Sequence, residues 1–157
     1  MPGSDTLRAI LFAFFALLGA LTWLAVRAAR IPSGTPPRLV AEFAVVRLAS
    51  LLLAVTAGLS IGVAAAREQV PAGALDVALA AGFVALAAVA QTKDPRQALM
   101  LLSGGFAAHA LLDIAHRPGL LSPDLGPHWF LIASAVYDVS AGAICYLPLL
   151  NPGKHLT

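Results

Sequence analysis

Five long apolar runs dominate this chain and restrict the folds that are open to it. They cover residues 7–29, 39–66, 72–91, 96–116 and 128–150. A helix needs about 20 apolar residues to cross the roughly 30 Å of hydrocarbon in a bilayer, so each run suits one span. Because lipid offers the backbone no hydrogen-bond partners, the spans must be helical. The runs predict an all-α integral membrane bundle of five transmembrane helices in one domain, residues 1–157.

The composition agrees with a membrane protein and excludes several other classes. Only 11% of the residues are charged and the mean hydropathy is +0.85, whereas a soluble domain carries about 25% charged residues. The single cysteine, Cys145, excludes an intrachain disulfide and a zinc site of four cysteines. Basic residues lie mostly between the apolar runs, without interleaved aromatic residues. The expected partner is therefore the lipid bilayer, and nucleic acid is excluded.

The distribution of lysine and arginine predicts the orientation of the bundle. With the amino terminus outside, the inner connections hold Arg27, Arg30, Arg38, Lys93, Arg96 and Lys154, and the outer ones hold Arg8, Arg67 and Arg117. Cytoplasmic connections carry the excess of positive charge in membrane proteins. The first run is longer than a signal-peptide core, so it is a retained helix. We therefore expect a multi-pass protein of the inner (plasma) membrane, with its amino terminus outside and its carboxyl terminus cytoplasmic.

Three polar residues in the fourth apolar run form the pattern His-x-x-x-Asp-x-x-His. They are His109, Asp113 and His116. On a helix with 3.6 residues per turn, these positions fall within an arc of roughly 60° and so share one face. Two imidazoles and a carboxylate are ligands typical of a divalent metal, zinc-like in type. An aspartate in hydrocarbon costs roughly 3 kcal/mol unless it is paired, which favours a functional role here.

The fifth run adds polar residues that a helical hairpin brings towards this face. An antiparallel return over an eleven-residue connection places Asp138 about one turn deeper than His109. Asp138 is therefore the predicted fourth ligand or a close partner of the ligands. His128, Ser134 and Tyr137 are further candidates for the surrounding shell, with His128 at the mouth of the helix.

The same polar residues are also compatible with structural roles. Asp113 can pair with His109 in ordinary helix packing, and His116 can be a solvated helix end. Haem ligation and proton handling are two further alternatives. Haem is disfavoured because two histidines on one helix cannot sandwich a single macrocycle, which leaves His128 as the other partner at the membrane edge.

Three more charged residues lie within the apolar runs: Glu42, Arg47 and Asp76. We expect Glu42 and Arg47 to pair with other helices or to extend towards the membrane surface, and Asp76 to be hydrated near a helix end. Gly104 and Gly105 are small residues, and we expect them to permit close packing between helices. A looser fourth helix at the two glycines is the alternative.

The last third of the chain resembles a known family. The segment from Gly105 to His116, the proline-rich connection and the Asp138 helix resemble an uncharacterised family of small bacterial multi-spanning proteins with a His-x-x-x-Asp-x-x-His helix. The resemblance implies a site at His109, Asp113, His116 and Asp138. This chain has Leu112 where that family has an aromatic residue and Arg117 where it has a second histidine. The family supplies no established activity.

Two classes of function follow from the candidate site. In the first, His109, Asp113, His116 and Asp138 hold a divalent metal ion that activates water to hydrolyse a lipid or another membrane-soluble substrate. Asp113 or Asp138 then acts as a general base. In the second, the protein is a non-catalytic accessory or structural subunit that docks on a membrane protein partner or forms a homo-oligomer. Transport of ions or protons is a weaker third option, because no inverted repeat is visible.

Overall fold

A computed structural model describes residues 4–65, 70–116 and 128–150. Five α-helices and a closing 3-10 turn follow one another: α1 Ser4–Arg30, α2 Pro36–Ala65, α3 Val70–Ala90, α4 Pro95–Ala115, α5 His128–Tyr146 and the 3-10 helix Leu147–Leu150. These described residues form no strand. The helical bundle that the apolar runs predict is confirmed. The proline-rich connection over residues 117–127 lies outside the described residues.

Within the described residues, four helices are long and apolar enough to cross a membrane. They comprise Phe12–Arg30, Pro36–Gly62, Pro95–Ala115 and Phe130–Leu150. The described part of α3 forms a shorter apolar helix, Ala74–Ala90. Large apolar side chains point outward, including Phe12, Val40 and Leu111, each at least 67% exposed. A soluble protein rarely exposes so much apolar surface, whereas lipid accommodates it, so this outer surface is that of a membrane protein.

The fourth helix forms the centre of the bundle, packed against α2, α3 and α5. Its residues Leu99, Leu102 and Phe106 are completely buried. They repeat at three and four positions, so they lie on one face and meet buried side chains of α2 such as Leu53. Lipid tails are as apolar as these side chains, so the helices are held together by close packing and by interhelical hydrogen bonds.

Two glycines allow α4 to approach its neighbours closely. A Cβ atom added at Gly105 would lie 2.9 Å from Leu86 Cδ2 and 3.1 Å from Leu53 Cδ2. A Cβ atom at Gly142 of α5 would lie 3.2 Å from the carbonyl oxygen of Ser103. The hydroxyl of Ser103 donates a hydrogen bond to the carbonyl of Gly142 at 2.9 Å. Both glycines are therefore packing positions at helix contacts.

A buried arginine joins three parts of the chain at one end of the bundle. Arg38 Nε donates to Glu42 Oε1 at 2.6 Å, one turn along α2. The guanidinium also donates to the carbonyls of Ala28, Ile31 and Pro148. Glu42 therefore pairs within its own helix, not with another helix, because Arg38 lies four residues before it. Arg47 has no such burial and is exposed.

The third helix faces the bundle with a narrow stripe. Its inward residues are Asp76, Ala80, Phe83, Ala87 and Ala90, which repeat at alternating intervals of four and three. Three of the five are alanines, which let the α3 backbone approach the bundle but bury little apolar area. Most other described side chains of α3 are exposed. The third helix packs mainly against α2, with Leu86 also partly buried against the core, and its contact with α4 is smaller and includes the polar residue Asp76.

Gly104 and Gly105 offer a matched test of the close packing at α4. Gly104 is exposed and a Cβ atom there would meet nothing within 4 Å. We expect Gly105→Leu to lower the free energy of unfolding by about 1–3 kcal/mol, because the larger side chain must push α2 and α3 away. Gly104→Leu should leave stability unchanged or raise it by up to about 1 kcal/mol. Unfolding in detergent micelles measures both. Equal effects at the two positions would contradict the described packing.

Candidate metal centre

His109 and Asp138 form the closest polar contact between α4 and α5. His109 Nδ1 lies 2.7 Å from Asp138 Oδ2, and the two residues are 1% and 0% exposed. The ring of Phe83 packs edge-on against the imidazole, with 4.9 Å between ring centroids. Three helices therefore fix the histidine ring. The antiparallel hairpin of α4 and α5 explains the contact, since it brings Asp138 beside the turn of α4 that holds His109.

Asp113 approaches the same imidazole nitrogen from one turn along α4. Its Oδ2 atom lies 3.7 Å from His109 Nδ1, and Ser134 of α5 lies beside its carboxylate. Ligand atoms of His109, Asp113 and Asp138 all lie within 4.8 Å of one another. Two ligands of one tetrahedral zinc ion are about 3.3 Å apart, given bonds of about 2.0–2.1 Å. The 2.7 Å between His109 and Asp138 is a hydrogen-bond distance and shorter than that value, and the 3.7 Å between His109 and Asp113 is longer, so an ion bound here would replace the proton of the hydrogen bond.

Two carboxylate oxygens in this group are buried without a partner. Neither Asp113 Oδ2 nor Asp138 Oδ1 has a hydrogen-bond partner among the described residues. Most buried polar atoms in proteins do have one, because leaving a charged acceptor unpaired costs several kcal/mol. These two carboxylate oxygens can therefore still accept a hydrogen bond or bind a cation, because the neighbouring side chains do not occupy them. A bound cation would use it.

His116 lies on the same face of α4 but pairs with a different helix. Its Nε2 atom lies 2.9 Å from Asp76 Oδ1 of α3, and its Nδ1 atom lies 2.7 Å from the carbonyl of Leu112. A carbonyl only accepts, so Nδ1 donates its proton to Leu112. A second proton is then shared between Nε2 and the Asp76 carboxylate. The pair carries one positive and one negative charge, or none if that proton rests on Asp76.

A small cavity is lined both by this pair and by His109 and Asp113. Its volume is about 20 Å³, and its polar lining includes Asp76, His109, Asp113 and His116. The apolar part of the lining comes from α3, α4 and α5, at Ala80, Leu112, Phe130 and Leu131. A polar cavity of this size has room for about one water molecule. The cavity gives His109 and Asp113 a neighbouring position for a ligand that the protein itself does not supply.

The structure brings together three of the four predicted metal ligands. His109, Asp113 and Asp138 form one group, and His116 lies apart from it, paired with Asp76. Ser134 adjoins Asp113, as the hairpin predicts, whereas the hydroxyl of Tyr137 is buried without a hydrogen-bond partner among the described residues. The side chain of His128 lies outside the described residues. Which of these residues bind a metal or act in catalysis stays a prediction.

Asp76 is a residue whose expected environment was wrong. It is only 7% exposed, so it is not the hydrated helix end that its position near the end of an apolar run indicates. The difference arises because α3 turns its Asp76 side towards α4 and places the carboxylate against His116. The signal available in the sequence was a lone carboxylate near a helix end, at the same membrane face as His116. A lone carboxylate does not specify how α3 is rotated about its own axis.

No protein-family model, curated protein or solved structure matches this chain. The resemblance of the last third of the chain to an uncharacterised bacterial family therefore stays a prediction. The site has to be interpreted from its own residues.

The His109 and Asp138 pair can be tested in metal-free protein. Asp138→Leu should lower the free energy of unfolding by about 3 kcal/mol or more, because it removes one partner of a buried polar pair. The double variant His109→Leu/Asp138→Leu should be more stable than Asp138→Leu, since neither partner is then left alone. Unfolding in detergent with a chelator present measures all the terms of this double-mutant cycle. If the losses in free energy of unfolding of the two single variants simply add up in the double variant, the direct contact between His109 and Asp138 is contradicted.

Proposed function

We propose that His109, Asp113 and Asp138 hold one divalent metal ion, zinc-like in its ligands, inside the membrane bundle. The observation that carries this proposal is the group of three buried ligand atoms within 4.8 Å, in which both carboxylates retain an unpartnered oxygen. Imidazole nitrogen and carboxylate oxygen are both zinc ligands, and three protein ligands is the number found in catalytic zinc sites. Buried carboxylates in a membrane interior are otherwise costly to maintain.

The charges around the cavity also favour a divalent cation. With ionised carboxylates, Asp76, Asp113 and Asp138 contribute three negative charges. The proton shared by Asp76 and His116 offsets one of them, wherever along that hydrogen bond it lies. A neutral His109 then leaves a net charge of −2 in a region where the described residues supply no lysine or arginine partner. One divalent cation neutralises that charge, and its binding stabilises the folded bundle by an amount that increases with its affinity and concentration.

Three protein ligands leave one coordination position for water, as in catalytic zinc sites. A metal ion in this position activates its water for hydrolysis. The cavity beside His109 and Asp113 has the volume for that water. With Asp113 Oδ2 used as a ligand, the unpartnered Asp138 Oδ1 is the carboxylate oxygen left to accept the proton of the attacking water, which is the role of a general base. The position of the site within an apolar helical bundle favours a lipid or another membrane-soluble substrate.

The proposal includes the environment of the protein. The excess of lysine and arginine in alternate connections supports an inner-membrane location with the amino terminus outside and the carboxyl terminus in the cytoplasm. His116, at the end of α4, then lies towards the outer face, and His109 lies about 10 Å deeper, taking 1.5 Å per residue. The accessory subunit is the other candidate function, in which the same polar groups only join helices.

Metal content distinguishes these two functions. Protein stripped with a chelator in mild detergent and reloaded with zinc should hold about one equivalent after removal of free metal. His109→Ala and Asp138→Ala should lose it, because two remaining ligands bind weakly. Elemental analysis measures the ratio of zinc to protein. His116→Gln is the matched histidine control and should retain the metal, since His116 stands outside the ligand group.

Two results would contradict the proposal. Equal, substoichiometric zinc in the wild type and in His109→Ala would show that the group binds no metal, and the accessory function would take its place. Loss of zinc in His116→Gln, in protein that remains folded, would make His116 a ligand and would contradict the three-residue site.

A further inference from the structure

We propose that the hydrogen-bonded pair of Asp76 and His116 is the gate through which the metal ion enters and leaves its site. This inference rests on the proposed metal centre. It assigns a function to two buried polar residues that are not among the three proposed ligands. It also identifies α3 as the helix that moves when the ion exchanges.

The position of the pair supports a gate. His116 directly follows the last residue of α4, whereas His109 lies two turns deeper. On the side of His109 that faces away from His116, the described residues form the closed core of the bundle. Phe106 and Leu102 are completely buried there. The small cavity is lined both by the pair and by His109 and Asp113 of the ligand group. An ion that enters from the nearer membrane face therefore passes Asp76 and His116.

The hydrogen bonds of the pair make it a closed gate. Both ring nitrogens of His116 are occupied, one by the carbonyl of Leu112 and the other by Asp76. The imidazole of His116 therefore has no free lone pair with which to bind a cation. The proton between His116 and Asp76 also repels an approaching cation. The Asp76 to His116 bond has to open before a cation passes or is briefly held by the carboxylate.

The limited contact of α3 with α4 allows that opening, because α3 packs mainly against α2. Its inward stripe consists mainly of alanines, with Ala80 lining the cavity one turn from Asp76. Small side chains lose little buried apolar area when the helix shifts, so the charge-assisted hydrogen bond of Asp76 provides a large part of the local attachment. When this bond breaks, the end of α3 near Asp76 can move away from α4. The end of α3 that is farther from Asp76 stays in place because Leu86 packs beside Gly105.

The test compares rates of metal exchange with metal affinity. The double variant Asp76→Leu/His116→Leu removes both partners, so no buried charge is left alone. Zinc uptake by the stripped protein and zinc release to an excess of chelator are followed by stopped flow in detergent. Both rates should rise about tenfold or more, as expected when one charge-assisted hydrogen bond no longer holds the closed state. The dissociation constant should change by less than about threefold, because the ligands remain.

A second buried ion pair provides the matched control. Arg38→Leu/Glu42→Leu removes a pair at the opposite end of the bundle, and its exchange rates should equal those of the wild type. If the leucine variant at the gate does not fold, Asp76→Asn replaces it. This variant keeps a hydrogen-bonding side chain but removes the charge, so it should accelerate both uptake and release by a smaller factor.

The outcomes separate the gate from the metal centre. If the wild type binds one zinc tightly but exchanges it at the same rate as the gate variants, the gate proposal is wrong. The proposed metal centre would still stand. A variant with altered affinity at unchanged uptake rate would likewise overturn the gate and make the pair a modifier of binding. Wild-type protein that binds no zinc would overturn both proposals. Faster exchange in the Arg38 control would overturn the gate as well, because any loosening of the bundle would then open the site.

Discussion

The cost of a polar group in hydrocarbon is the constraint on which the rest of this structure depends. Neither lipid nor the helical backbone offers partners to most side chains inside the bundle, so buried polar groups must find each other. Arg38 and Glu42 do so at one end, and His109, Asp138, His116 and Asp76 do so at the other. The unpartnered oxygens of the two carboxylates at the proposed metal site are exceptions.

Much of this arrangement could be predicted from the sequence, because it depends on spacing along single elements. The length of the apolar runs determines the helices, and intervals of four and three residues place His109, Asp113 and His116 on one face of α4. A short connection makes α4 and α5 antiparallel. The rise per residue then predicts that Asp138 approaches His109, and in the structure the two side chains lie 2.7 Å apart.

The remaining contacts depend on how helices rotate about their own axes, which apolar sequences specify poorly. The third helix is apolar around its whole circumference, so nothing in its pattern points Asp76 towards His116. Its rotation is set by the fit of small residues, such as Ala80 and Ala87, against neighbouring helices. Arg38 is a similar case, since its carbonyl partner at Pro148 lies 110 residues away in the chain. Interhelical contacts of this kind appear only in three dimensions.

The central claim is that one imidazole and two carboxylates bind a metal ion within the membrane bundle. X-ray absorption spectroscopy of the zinc-loaded protein tests this claim most directly, because it reports the ligands of the ion itself. The account predicts a single imidazole and otherwise oxygen ligands, with bonds of about 2.0–2.1 Å. Two imidazoles, or sulfur from Cys145, would place the ion at a different set of residues and would contradict the proposed centre.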